Sequence, residues 1–240
     1  MQNGVAVVDR AAIAAIIRSE ISKSVMLDHA EIPGVARKLA AGSARALGLS
    51  GRNARRSTGF DAHLVMEQRL IELCQNAGGV VIEDRVFPGT ELTLHQPLTR
   101  YGRVLLGRAT IHERKGLPSA NVTRRNGAKL NRCLTGDLFD TETDSNAPFH
   151  VLLLTLPDFH DLDKIAATYI AVMSPTFDST LLLEEIDDFI AGYDEEMTTL
   201  EGAATDTVFE AADFGLVARK GVTPYAGEEH RAEQVPEEKA

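Results

Sequence analysis

The 240-residue sequence has no tryptophan, only 5% aromatics, and two cysteines, Cys74 and Cys133. Two cysteines cannot build the disulfide framework of a small secreted scaffold. With so few aromatics, the core has to come from Leu, Ile, Val and Ala. No apolar run approaches the ~20 residues a helix needs to cross a bilayer; the longest, such as Ala11–Ile17, are far shorter. The start of the chain makes a poor secretory signal. Asp9 precedes the apolar run, Arg18 and Glu20 follow it, and no small-x-small cleavage pattern comes after it. The expectation is a cytoplasmic chain with reduced thiols and no membrane partner. No repeat period is visible. No His-Glu-x-x-His, Gly-x-Ser-x-Gly, Gly-x-Gly-x-x-Gly or phosphate-loop spacing occurs.

What is present is an ordinary globular composition with an unusual distribution of charge. Apolar residues make up 44% and charged residues 25%. The length suits one medium domain, or one with an appendage. The net charge of −10 is the sum of two opposed halves. Residues 1–133 carry 20 Lys/Arg against 11 Asp/Glu, and residues 134–240 carry 5 against 24. Two segments supply most of the positive half. From Ala36 to Arg56 there are Arg37, Lys38, Arg45, Arg52, Arg55 and Arg56, with no acid. From Arg100 to Arg132 there are nine bases and one acid, Glu113. Clusters of this kind neutralise phosphates.

Apolar spacing predicts a helix over about 10–25, carried by Ile13, Ile16, Ile17, Ile21 and Val25. Pro33 at a first turn, with Gly48 as the stop, predicts a second over about 33–47. Asp61 is placed to cap a third over about 61–76. Gly78-Gly79 then breaks the period, and strands are expected at 80–87, 92–95 and 103–113. A helical turn or two is expected over 128–134. Val151–Leu156, bounded by Pro148 and Pro157, reads as a buried strand. Residues 162–173 fit a helix, with a strand over 168–173 as the alternative, and a helix is expected over about 179–192. From Asp194 onward there are 12 acids and 4 bases, with little periodicity except a short helical stretch near 207–214. The expected fold is α+β: N-terminal helices followed by a small mixed sheet with flanking helices, then an acidic, disordered C-terminal tail. A mixed three-layer α/β sheet is the alternative. The expected division is a basic helical region (1–59), an α+β core (60–193) and the tail (194–240).

Four constellations bear on function. Ala44, Gly48 and Ser50 have the spacing of a helix-turn-helix, which would place Arg52, Arg55 and Arg56 on a two-turn recognition helix ending at Gly59. The run Asn121–Asn131 interleaves amides with Arg124, Arg125 and Lys129, groups that can hold phosphates or read bases. Glu113-Arg114-Lys115 supplies a Glu-x-Lys at a strand end, with Glu91 opening the strand before it and Glu67 on the preceding helix as an additional acid. That order resembles the core of restriction-type nucleases, where carboxylates hold Mg²⁺ and a Lys orients water. The Pro-Asp expected on the preceding strand is missing, so Glu91 would replace its Asp. The acidic loop Asp137, Asp140, Glu142, Asp144 lacks the Gly and the closing Glu of a calcium loop, and Asp158, Asp161 and Asp163 suit a helix N-terminus.

These readings rank in order. The first is a non-enzymatic, DNA-associated regulator without a cofactor. It would contact nucleic acid through Arg52, Arg55, Arg56, Arg124, Arg125 and Lys129. Its acidic half would serve a protein partner, a second copy or autoinhibition. The second is an Mg²⁺-dependent nuclease using Glu91, Glu113 and Lys115. The third is an interaction module whose opposite charges pair between copies.

Overall fold

The computed structural model describes residues 9–82, 97–135 and 146–205, with side chains to 195. The chain divides into two units, Met1–Leu200 and Glu201–Ala240. The first contains helices α1 (Arg10–Glu20), α2 (Lys23–Ala46) and α3 (Gly51–Asn76), then strands β1 (Val80–Ile82), β2 (Leu98–Tyr101) and β3 (Val104–Thr110). Helix α4 (Val122–Leu130) and a 3₁₀ turn (Asn131–Leu134) lead to β4 (Phe149–Pro157), β5 (Ile165–Met173) and β6 (Thr180–Glu185). Helix α5 spans Ile186–Thr205. This is the expected α+β order, with N-terminal helices ahead of a mixed sheet.

Local chemistry sets the helix ends. Asp9 caps α1 by accepting from the Ala11 N–H at 3.0 Å. The helix expected over 10–25 breaks at Ile21-Ser22, where Ser22 becomes the cap of α2. Pro33 lies inside α2 rather than at its start. Helix α2 stops at a Schellman turn: the Leu49 N–H reaches the Ala44 carbonyl at 3.0 Å, the Gly48 N–H reaches Arg45 at 2.9 Å, and Gly48 takes φ +69°. Helix α3 ends the same way, with Gly78 at φ +72° and Gly79 bonded to the Cys74 carbonyl.

Helix α3 begins a full ten residues before the expected Asp61. Asp61 lies mid-helix, where it accepts from Ser57 Oγ at 3.0 Å. The expected division at 59/60 therefore falls within one helix. Ala36 and Ala40 of α2 pack with Ala62 and Met66 of α3, flanked by Ile32 and Val65. The two helices thus pair along their flanks as an αα-hairpin. A helix-turn-helix crosses at a steep angle instead, so the spacing of Ala44, Gly48 and Ser50 marks a hairpin turn. Ser50 occupies the N-cap of α3 without a side-chain capping bond.

The six strands lie in sequence order, β1 to β6, antiparallel except for the parallel pair β3–β4. The strand expected over 103–113 is the second arm of a tight β2–β3 hairpin, turning through Gly102-Arg103 between the paired Tyr101 and Val104. One face of the sheet carries Val104, Leu106, Val151, Leu153, Ile170 and Val172, packed against Ile13 and Ile17 of α1 and Phe189 of α5. The other carries Ala109, Leu152, Leu154, Tyr169, Ala171 and Met173, with Ala128 of α4 and Phe177. Covering both faces explains two departures from expectation. Residues 165–173 are a strand, the alternative reading of that segment, and 180–185 are a strand ahead of α5. In both segments apolar residues fill inward and outward positions, which removes the period-2 alternation. The strand expected over 80–87 is described only as β1. Glu91, the 92–95 strand, the acidic loop 137–144 and the 206–240 part of the tail lie outside the described residues. No helix among the described residues is long and apolar enough to cross a membrane.

Candidate nucleic-acid interface

The hairpin places Arg52, Arg55 and Arg56 on the first two turns of α3, all exposed. No ion pair involves them among the described residues. Other bases of the first basic segment are engaged. Arg45 pairs with Asp163 at 2.6 Å, and Arg37 is buried near Asp158 and Asp163. Asp158, Asp161 and Asp163 therefore serve a turn rather than a helix N-terminus. They lie between β4 and β5, where Asp158 accepts from the His160 and Asp161 N–H groups at 2.7 and 3.0 Å. Those backbone bonds hold the Asp158 carboxyl below its ordinary range.

Arg52, Arg56, His63 and Glu67 follow one stripe of α3, because spacings of four, seven and four return to the same helix face. At the far end of that stripe lies Arg108, the single charged residue of β3. Its Nη2 donates to the His63 carbonyl at 3.2 Å, contacts His63 Nδ1 and lies 3.4 Å from Glu67 Oε1. A guanidinium only donates, so Nδ1 is the acceptor and the ring proton sits on Nε2. Nε2 lies 3.2 Å from Glu67 Oε1, a close approach without hydrogen-bond alignment. Burial first, then the Arg108 charge, push the His63 pKa down, while Glu67 opposes them. His63 is accordingly neutral near pH 7. Burial also lowers the Arg108 pKa, with Glu67 restoring part of it.

On the other side of β3 lies α4. The Asn121 side chain caps it, accepting from the Arg124 N–H at 2.7 Å. Arg125 and Lys129 are exposed, and Lys129 donates to Asn126 Oδ1 at 3.1 Å. Arg124 is different. Half-buried, it donates through Nη1 to the Ser119 carbonyl at 2.7 Å, and its enclosed Nε has no acceptor. Burial lowers its pKa. Helix α4 comes close to the sheet because of two glycines. A Cβ on Gly127 would lie 2.5 Å from His150 Nδ1, and one on Gly107 of β3 would lie 3.0 Å from Nε2 of the same ring. The His150 imidazole thus occupies the space the two glycines leave. A small cavity of about 20 Å³ beside it is lined by Arg108, Arg124, Asn121, Thr123 and His150 among others.

Arg108 is therefore where the α3 stripe and α4 meet. Sequence reasoning missed it, along with His63 and His150. The available signal was a lone arginine inside the otherwise uncharged strand Val-Leu-Leu-Gly-Arg-Ala-Thr, with His63 and Glu67 at i, i+4. Glu113 and Lys115 lie in an exposed turn after β3, in which Lys115 takes φ +56°. The Arg114 between them reaches Glu185 at 3.6 Å. Among the described residues, no three His, Cys, Asp or Glu side chains gather as metal donors. Both cysteines are free thiols. Burial raises the pKa of Cys74, which packs against Tyr101, and Tyr101 Oη in turn lies 2.9 Å from His29 Nε2. No family model matches the chain, and no curated protein or solved structure matches it either.

Proposed function

We propose that the chain is a cytoplasmic nucleic-acid-binding protein with a regulatory rather than a cutting role. The observation that carries this reading is the exposed trio Arg52, Arg55 and Arg56, unpaired at the tip of the helical hairpin. The trio shares its helix with the stripe that leads to Arg108 and so toward Arg124, Arg125 and Lys129. Lining up guanidinium groups without acids costs electrostatic repulsion, which a polyanion relieves. No metal enters this reading; Mg²⁺ belongs to the alternative with Glu91, Glu113 and Lys115.

Titration of duplex DNA at two salt concentrations, with and without Mg²⁺, tests it on a gel that also shows cleavage. The expected result is metal-independent binding that weakens steeply with salt. Replacing Arg52, Arg55 and Arg56 by Ala is expected to flatten the dependence of log K on log salt by roughly 2–3, about one per lost phosphate contact. Binding with an unchanged slope in that variant would remove the hairpin tip from the interface. Cutting that depends on Mg²⁺ and disappears in Glu113→Ala would promote the nuclease.

A second reading, self-association, is favoured by an exposed apolar row on the hairpin. Val35, Leu39, Phe60 and Leu64 are 46, 53, 63 and 49% exposed there. Leu39 and Leu64 line a groove of about 680 Å³ together with Ile71. Asp28 continues the Val35–Leu39 row at the base of the hairpin, whereas the tip is basic. Two copies packed antiparallel would set base against tip, the self-complementary arrangement a two-fold interface needs. Sedimentation equilibrium is expected to show a dimer that Leu39→Glu with Leu64→Glu converts to a folded monomer. A wild-type chain that sediments as a monomer at all concentrations would end this reading.

A further inference from the structure

We propose that the nucleic acid held by the α3 stripe is single-stranded, with the exposed Phe60 ring as the platform on which one unpaired base stacks. This rests on the nucleic-acid reading above and names the class of strand it takes. Phe60 follows Arg52 and Arg56 at spacings of four, which keeps all three on one face of α3. Each step of four advances the helix by about 6 Å, so two guanidinium groups and then an aromatic ring stand in file along the surface. His63 and Glu67 continue the stripe. His63 is engaged by Arg108, and the Glu67 carboxylate closes the file to further phosphates. From Arg52 to His63 the file is about 16 Å long, enough for a few nucleotides of one strand.

Two features mark the ring as a contact. Phe60 is 63% exposed in a chain with few aromatics. Among the described residues no guanidinium covers its face; the arginine–ring contacts are those of Arg18 with Phe189 and Tyr193, and of Arg103 with Phe149. Beside the ring, Gly59 leaves the surface bare. A Cβ there would meet nothing within 4 Å, so packing does not require the glycine, which weakens the helix relative to alanine. What it provides is an open approach to the ring. Phe159 is also exposed but sits among Asp158, Asp161 and Asp163, whose carboxylates repel phosphate. In a duplex the bases stack on their neighbours and present only edges in the grooves. A ring in line with phosphate contacts finds a base face only where the strand is unpaired, and an aromatic platform on a basic track binds single strands with little regard to sequence. Stacking and phosphate contact do not read the sugar. DNA and RNA strands share this chemistry, so both are used as probes.

The full chain is titrated at two salt concentrations with a short DNA strand, the RNA strand of the same sequence, and the DNA duplex. At least one single strand is expected to bind more tightly than the duplex, and the tighter of the two names the sugar. Phe60→Ala and Phe60→Leu are expected to weaken single-strand binding by roughly 5- to 150-fold, the range of one lost base stack. The slope of log K against log salt stays as in wild type, because no phosphate contact is removed. Phe60→Tyr, which keeps the ring, retains the affinity. The ring is exposed, so all three variants are expected to melt at the wild-type temperature. Because the chain has no tryptophan, Phe60→Trp places a single indole in the site. Its fluorescence is expected to be quenched by the strand and unchanged by inorganic phosphate at the same ionic strength. If the duplex binds as tightly as either strand and Phe60→Ala changes neither affinity, the stack is overturned. The nucleic-acid reading then survives, provided that replacing Arg52, Arg55 and Arg56 by Ala still flattens the slope. If Phe60→Ala turns a dimer into a monomer and leaves strand binding unchanged, the ring belongs to an interface between copies and the stack is again overturned. If no nucleic acid binds, both readings fail.

Discussion

Urea denaturation at pH 5 is expected to give a stability about 4 kcal/mol below that at pH 7, and two buried histidines account for most of the difference. His29 and His150 are 0 and 2% exposed. Burial pushes each from 6.5 down to about 4; for His150 the Arg124 charge adds to the effect. His29 faces the Tyr101 hydroxyl, a neutral partner that gives an imidazolium nothing to pair with. The unfolded chain therefore binds more protons than the folded one between the two pKa values. Stability is full above about 6.5, falls as the pH drops through that window, and levels off below about 4. Each histidine removes about 2 kcal/mol between pH 7 and 5, a range that stays above ordinary carboxylate pKa values. His63, with its pKa also lowered, adds in the same direction, but less because it is partly exposed. His29→Gln and His150→Gln should each remove about half of the pH-dependent loss. A change under 1 kcal/mol between the two pH values in wild type would mean that neither ring is held neutral by the fold.

Much of this fold could be read from residues that act locally. Gly48 and Gly78 stop their helices at the expected places, because a left-handed C′ position is a property of a few residues. Val151–Leu156 was legible because nine consecutive strand residues, all but the last buried, leave an uninterrupted apolar run. The first half of α3 was not. Between Gly51 and Phe60 its buried contacts come from Ala54 and Thr58, too few to make a periodic stripe. Two glycines in that stretch also lower its helix propensity, and packing against the alanines of α2 overrides this. β5 and β6 failed for another reason: β5 is a central strand covered on both faces, and the edge strand β6 carries three consecutive leucines, so neither shows a period-2 alternation. The site divided in the same way. The arginine trio was legible as charge without acid. The meeting of Arg108, His63, Glu67 and Arg124 was not, because residues 45 apart along the chain come together only through the hairpin and the β3–β4 crossover.

Asn131→Ala is expected to cost about 3 kcal/mol of stability. The side chain is fully buried and works as a spare peptide group at the end of the β4–β5 ladder. Its Oδ1 accepts from the His150 N–H at 2.7 Å and its Nδ2 donates to the Met173 carbonyl at 2.8 Å. The paired register begins two residues further in, at Leu152 and Ala171, so Asn131 fills the gap where the two main chains no longer meet. Alanine would strand one buried donor and one buried acceptor, each costing about 1–3 kcal/mol. For a domain of this size, 3 kcal/mol lowers the melting temperature by roughly 6–12 °C. Asn131→Asp separates the two bonds, since a carboxylate can accept from His150 but cannot donate to Met173. It is expected to be worse than alanine at pH 7, because it adds a buried charge facing a carbonyl oxygen. The consequence reaches the proposed interface. Asn131 fixes the 3₁₀ turn that ends α4, and the same helix carries Arg124, Arg125 and Lys129. An Asn131→Ala chain that remains folded should bind DNA more weakly than wild type even though no phosphate contact has been removed. A loss of less than 1 kcal/mol in that variant would show that the turn is anchored by other contacts, and that the position of α4 does not depend on this amide.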